Sequence, residues 1–264
     1  MMLSKSHIGA AITQVTEAAQ HCTIAIPAQK GGVLKYVELA YETVLETVVV
    51  AGGLVRLWNT SADWDPFYAL TPLGTVTTLG GGHGHPMRYY VEKELPGNST
   101  VYANYTPYDN QSQSLELTIF WELGAKITEE HFIGYIHPLK AAGVAAVARA
   151  SPGAYAIPGG KGGELVALYD ASWPAQEAVV CSGGLRELEC DAYDITPCQR
   201  YTGGWSVVGA GGGDFMAHPD VEPYRFKVPS NSTFTSYFTP VDDQNQTLST
   251  LIHWKRPVRH RVVN

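Results

Sequence analysis

The chain has 264 residues, 45% of them hydrophobic and 16% charged, with a net charge of −7. That length holds one large or two ordinary domains, and the apolar content is that of a globular protein. The acidic balance excludes nucleic acid as the main partner of the body, and no run of about 18 apolar residues is present to span a membrane. The charged fraction is well below the ~25% of ordinary soluble chains, as expected of surfaces covered by neighbours.

In chain order, the alanine-rich residues 6–20 read as a short helix. After it, short apolar runs broken by Gly, Pro, Asn and Asp predict strands at 22–26, 34–41, 47–50, 54–58, 75–79, 87–92, 100–105 and 115–121. Within the last of these, Leu115, Leu117, Ile119 and Trp121 alternate onto one face. Residues 125–137 read as a connector. A second alanine-rich helix is expected at 138–150, introduced by Pro138.

From there the chain repeats itself. "NSTVYANYTPYDNQSQSLELTIFWE" from Asn98 matches "NSTFTSYFTPVDDQNQTLSTLIHWK" from Asn231 at 11 of 25 positions, at a constant offset of 133. Upstream, "AIPAQKGGVL" from Ala25 meets "AIPGGKGGEL" from Ala156 at an offset of 131, and residues 25–82 share 22 of 58 identities with their copy. Fixed-period self-similarity marks a duplicated structural unit. The expected fold is therefore all-β: two tandem eight-stranded antiparallel jelly-roll barrels, each preceded by a short helix. The first covers residues 1–124 and the second 138–257, with a basic tail at 258–264.

Little in the pattern points to catalysis. No G-x-S-x-G elbow occurs, and the carboxylate pairs fall in predicted turns, so a non-enzyme is expected. His83 and His85 have metal-ligand spacing, but Tyr89 stands where a Glu ligand would follow, and the second copy, "GGGDFMAHP", loses the first histidine. No cofactor is expected. The one ion that suits the loop aspartates Asp63, Asp109 and Asp242 is a structural Ca²⁺. Cys22, Cys181, Cys190 and Cys198 show no CxxC spacing, and a Cys190–Cys198 bridge is left open. Lys255, Arg256, Arg259 and Arg261 form a basic closing stretch, read as a solvated tail or as an arm for an anionic surface. Six of the seven asparagines (Asn59, Asn98, Asn104, Asn110, Asn231 and Asn245) sit in N-x-S/T. They are candidate glycosylation sites, although the start lacks an apolar stretch of signal-peptide length and polar turn residues are the simpler reading.

The phrases in residues 18–57 ("AAQHCTIAIP…YVELAYE…VVVAGGLVRL") and 154–188 ("AYAIP…ELVALYD…AVVCSGGLREL") each read as strand, strand and Gly hairpin. In this tandem arrangement the chain resembles the double jelly-roll major capsid proteins of membrane-containing icosahedral viruses, with the compact corticovirus-type coat protein nearest in size. The resemblance implies a homotrimer that forms a pseudo-hexameric capsomer in a virion. It implies contacts with neighbouring capsomers, minor capsid proteins and an internal membrane, and it transfers no active-site residue. Positions that change character between the copies, such as Lys35/Val166, Glu38/Tyr169, Trp58/Glu189 and Phe120/His253, fit faces that meet different neighbours. The alternative is a tandem β-sandwich carbohydrate-binding protein, a viral spike or lectin. It would use the 15 Tyr and 6 Trp and the two T-P-x-D-x-Q loops at 106–111 and 239–244.

Overall fold

The computed structural model describes residues 1–12, 16–43, 49–50, 52–64, 67–71, 74–75, 86–108, 112–141, 152–174, 184–193, 198–202, 220–223, 225–240 and 246–258. Among them every regular element is a strand, and none is a helix long and apolar enough to cross a membrane. The first half contains β1 (Met2–Ile8), β2 (Ala18–Ile26), β3 (Gly32–Thr43), β4 (Val49–Val50), β5 (Gly53–Asn59), β6 (Tyr68–Leu70), β7 (Gly74–Thr75), β8 (Met87–Leu95), β9 (Ser99–Pro107) and β10 (Gln113–Leu123). The second contains β11 (Glu129–Ala141), β12 (Gly153–Ala156), β13 (Gly163–Pro174), β14 (Gly184–Cys190), β15 (Cys198–Thr202), β16 (Asp220–Pro223), β17 (Lys227–Val228), β18 (Thr233–Pro240) and β19 (Gln246–Pro257).

The first half forms two antiparallel sheets, ordered β1-β10-β3-β8 and β2-β9-β5-β6, with β4 and β7 paired separately. The second forms β11-β19-β13-β16, with β17 also on β13, and β12-β18-β14-β15. The same order thus appears twice, and it is consistent with a jelly roll, with the first and last strands of each half paired side by side in one sheet. The bounds of β3 and β13, and of β5 and β14, differ by the 131 residues found in the sequence.

The identities shared by the copies are mostly turn and closure chemistry. In each, the residue after "IP" begins a turn that brings the Lys amide to the Pro carbonyl (Lys30 to Pro27, 2.9 Å; Lys161 to Pro158, 3.0 Å). That lysine's own carbonyl accepts the closing indole: Trp121 Nε1 donates to Lys30 O and Trp254 Nε1 to Lys161 O, both at 2.6 Å. The glycine two residues on packs against the last strand. A Cβ at Gly32 would lie 1.9 Å from Glu122 O, and one at Gly163 2.1 Å from Lys255 O, so no larger residue fits. Asn98 and Asn231 take φ of +58° and +59°, the left-handed turn that asparagine tolerates better than most residues. Their amides donate to equivalent carbonyls, Ile26 at 3.0 Å and Ile157 at 3.2 Å.

The expected helices are corrected. No helix forms where the residues of the predicted helices are described: residues 9–12 and 16–17 are irregular, with a single bridge from Ile12 to Gln113, and the rest are strand. Residues 6–8 end β1, 18–20 open β2, and 138–141 close β11. Alanine's helix preference is worth at most about 0.7 kcal/mol per residue over its rivals. Pairing wins here, since β1 is in register with β10 from Met2↔Glu122 to Ile8↔Glu116. Residues 129–137 of the expected connector are likewise strand, because β11 pairs with β19 along its length. Cys190 is a free, buried thiol, so the bridge to Cys198 is not made.

Alternation fills the two cores. In the first, Leu115, Leu117, Ile119 and Trp121 of β10 meet Val101, Ala103 and Tyr105 of β9 and Val55 and Leu57 of β5, all nearly inaccessible. In the second, Phe132, Leu165, Leu168, Ile252 and Trp254 meet Leu188 and Phe234. The first cluster extends across the duplication boundary and takes in Ile133, Tyr135, Ala167, Tyr169 and Leu251 of the second half.

Candidate assembly surface

That extension defines a junction. In the second half, the inner face of β11-β19-β13 covers its own core, and the outer face presents Ile133, Tyr135, Ala167, Tyr169, Ser249, Leu251 and His253, all buried. Among the described residues, what buries this outer face is the β6 and β8 side of the first sandwich. Phe67 bridges Ile133, the Tyr68 ring lies 6.0 Å from Tyr135, and the Tyr89 ring lies 4.9 Å from Tyr169. Tyr89 is itself anchored, donating to Leu70 O at 2.8 Å and accepting from Leu70 N at 2.9 Å.

Polar groups in the junction are hydrogen-bonded, as burial requires. Tyr108 and Tyr135 hydroxyls share Ser249 Oγ at 3.1 and 3.2 Å. His131 Nδ1 lies 2.9 Å from His253 Nε2, and the Tyr169 hydroxyl lies 3.4 Å from His253 Nδ1. The Lys93 ammonium sits over the rings of Phe67 (5.7 Å) and Phe132 (5.1 Å), one from each half. At the rim, Glu92 accepts from the amides of Thr128 (2.9 Å) and Glu129 (3.1 Å) and from Lys35 Nζ (2.7 Å).

Burial sets the protonation states. It raises the Tyr89 and Tyr108 phenols well above their ordinary value and pushes Tyr169 up to about 12. It holds His253 well below an ordinary imidazole, with His131, Lys93 and Lys255 adding repulsion, and it also lowers His131. Burial alone would raise the Glu92 carboxyl, but Lys35 and the two amides outweigh it and hold it at about 2. Neutral phenols and imidazoles between two apolar surfaces act as fixed hydrogen-bonding groups.

Among the described residues, the sequence candidates other than Tyr108 lie apart from this junction or at its rim. Asp63 is largely exposed and its Oδ2 stands 3.8 Å from Lys161 Nζ. His83, His85, Asp109, Asp242, Asn110, Asn245, Arg259 and Arg261 lie outside the described residues, as do parts of both T-P-x-D-x-Q loops. Lys255 and Arg256 are strand residues of β19, paired across to Glu129 (2.9 Å) and Glu130 (2.5 Å) of β11. Asn59 is buried; its Oδ1 caps the amides of Ser61 (2.8 Å) and Ala62 (3.0 Å), and its Nδ2 donates to Ser99 Oγ (3.0 Å). Asn104 accepts from the Gln20 amide at 2.8 Å and donates to Glu17. Asn98 and Asn231 are exposed in their turns. Apart from Tyr108, which belongs to the first T-P-x-D-x-Q loop, the junction residues were not among the sequence candidates. Their one signal was divergence between copies, at Glu38/Tyr169 and Phe120/His253.

No family model and no curated protein matches the sequence. Solved structures do resemble the chain along its length. PNGase F, a glycosylasparaginase from Flavobacterium meningosepticum, has 10% identity over 98% of this chain and 97% of its own, with a TM-score of 0.46. A peptide-N(4)-(N-acetyl-β-D-glucosaminyl) asparagine amidase has 9% identity over the same shares, with a TM-score of 0.49. The major capsid protein P2 from bacteriophage PM2 has 9% identity over 97% of this chain and 99% of its own, with a TM-score of 0.35. These scores describe a loosely shared all-β layout and no more. They correct one expectation. A non-enzyme was expected, yet a glycosylasparaginase is among the structures similar to this chain end to end, so the layout does not exclude catalysis.

Proposed function

We propose that this chain is a structural coat protein of a virion, in which three chains form a pseudo-hexameric tile of an icosahedral shell. The observation that supports this is the repetition itself. Both halves carry the same sheet order, at the residue offset found in the sequence, within one chain. A duplicated module lets three chains supply six similar edges around a closed ring, while differences between the copies fix the orientation of each tile. The low charged fraction fits surfaces covered by neighbours. Partners under this reading are further copies, adjoining tiles, minor capsid proteins and an internal membrane. Negative-stain electron microscopy of the concentrated protein tests it. Hexagonal-outlined particles, sheets or shells are the expected result. Particles that stay single and are retained on a glycan matrix would refute it in favour of carbohydrate binding.

A further inference from the structure

Two imidazoles of the junction have no counterpart in the other copy. His131 and His253, on the outer face of β11-β19-β13, stand at the positions that Met2 and Phe120 take on β1-β10-β3-β8. Tyr169 likewise stands where the first half has Glu38. Of the two equivalent faces, the one packed against the other half is thus the one that carries the ionisable rings.

Their contacts leave no room for two added protons. His131 Nδ1 and His253 Nε2 are 2.9 Å apart, a contact that holds when one nitrogen donates and the other accepts. The remaining nitrogens are also engaged. His131 Nε2 lies 3.6 Å from Glu129 Oε2 at the rim, and His253 Nδ1 lies 3.4 Å from the Tyr169 hydroxyl inside. One added proton is tolerated on His131 beside Glu129, whereas a second sets two N–H donors face to face. Around the pair stand Glu129 of β11, Lys255 of β19, Tyr169 of β13, and Lys93 and Glu92 of β8, with Tyr89 of β8 behind Tyr169. His131 feels the carboxylates of Glu129 and Glu92 as well as Lys255, but His253 feels the cations Lys93 and Lys255. Both rings are nearly closed to water, at 9% and 2% exposed.

We propose that His131 and His253 form an acid-operated latch: protonating the pair parts the two halves while each sandwich keeps its own sheets. A buried imidazolium is costly without water or a counter-charge, and parting the halves hydrates both rings. The ladders that hold β11, β19 and β13 together lie within the second half and survive this opening. Closed, the rings stay neutral because burial lowers both imidazoles from 6.5; open, they regain that value. The closed state is therefore fully favoured above pH 6.5 and loses ground below it. Between pH 7.5 and 5 each ring raises the open population up to about thirtyfold, and the two together up to roughly 900-fold. The latch rests on the junction alone and goes beyond the coat reading.

A thiol placed in the junction reads that population. Ala167 pairs with His253 across the sheet and is 5% exposed, so Ala167→Cys puts a small buried thiol beside the latch. Cys22 and Cys190, buried in the first and second cores, report unfolding of each sandwich in the same sample. The full chain is labelled with a thiol reagent, sites are located by peptide mass, and rates are corrected by a free cysteine peptide at each pH. Labelling at Ala167→Cys should accelerate at least about tenfold from pH 7.5 to 5. At pH 5 it should also outpace Cys22 and Cys190 at least roughly tenfold, since the halves part before either sandwich unfolds. Two double changes remove the latch: His131→Gln with His253→Gln, and the first half's own residues, His131→Met with His253→Phe. Either should hold the corrected rate within about threefold over the same range. Three thiols labelled at one rate would overturn the parting of intact halves. A corrected rate that does not rise with acid, or a rise that survives in a double variant with wild-type circular dichroism, would overturn the latch.

Discussion

The second core contains an ion pair where the first has none. Arg186 and Asp170 are fully buried with Nε and Oδ2 2.8 Å apart, and Thr250 Oγ1 donates to Asp170 Oδ1 at 2.7 Å. The equivalent positions in the first half are Val55, Leu39 and Leu117, each fully buried. Replacing Asp170 alone with Leu removes the buried carboxylate that Arg186 bonds, at a cost of about 3–5 kcal/mol. For a unit of this size that lowers the melting temperature by on the order of 10 °C or more. Installing the whole first-half set, Asp170→Leu with Arg186→Val and Thr250→Leu, removes the charge together with its partners. The side chain shortened at 186 is offset by larger ones at 170 and 250. This triple variant should fall within about 1.5 kcal/mol of wild type, or be more stable. Urea unfolding followed by tryptophan fluorescence and circular dichroism measures both. A triple variant as unstable as the single one would refute the equivalence of the two cores.

Acid should loosen the junction. Folding lowers the imidazole values of His131 and His253 from the ordinary 6.5, so the unfolded chain binds more protons below that pH. Stability is then fully present above pH 6.5 and declines as pH falls through it. Melting temperatures between pH 7.5 and 5 should show this, and the double change His131→Gln with His253→Gln should flatten the slope. At the two left-handed turns, Asn98→Ala and Asn231→Ala should each cost roughly 1 kcal/mol, while Asn→Gly at either position should cost less. Equal losses for Ala and Gly in thermal melts would argue against a conformational origin.

The duplication, the first-half strands at 22–26, 34–41, 54–58, 87–92, 100–105 and 115–121, and the turn phrases were legible because they depend on local chemistry. Alternation placed β10, and "IP…KGG" with the closing tryptophan encoded one hydrogen-bonded closure used twice. The first strand of each half was not legible. Alanine-rich runs satisfy helix patterns locally, and only the distant strand that pairs with β1 or β11 decides otherwise. Arg186 was equally obscure. "GLREL" beside "GLVRL" moves the arginine one position, from the exposed side at Arg56 to the core side of the strand. The junction lay further still from the sequence, since nothing local says which outer sheet face the other half covers. Divergence at Glu38/Tyr169 and Phe120/His253 recorded that difference without naming its cause.

The mass of the assembled protein in solution bears most directly on the coat reading. Native mass spectrometry of the full chain should find a species at three times 28.6 kDa that persists on dilution. A single species at 28.6 kDa across the same concentrations would contradict the account.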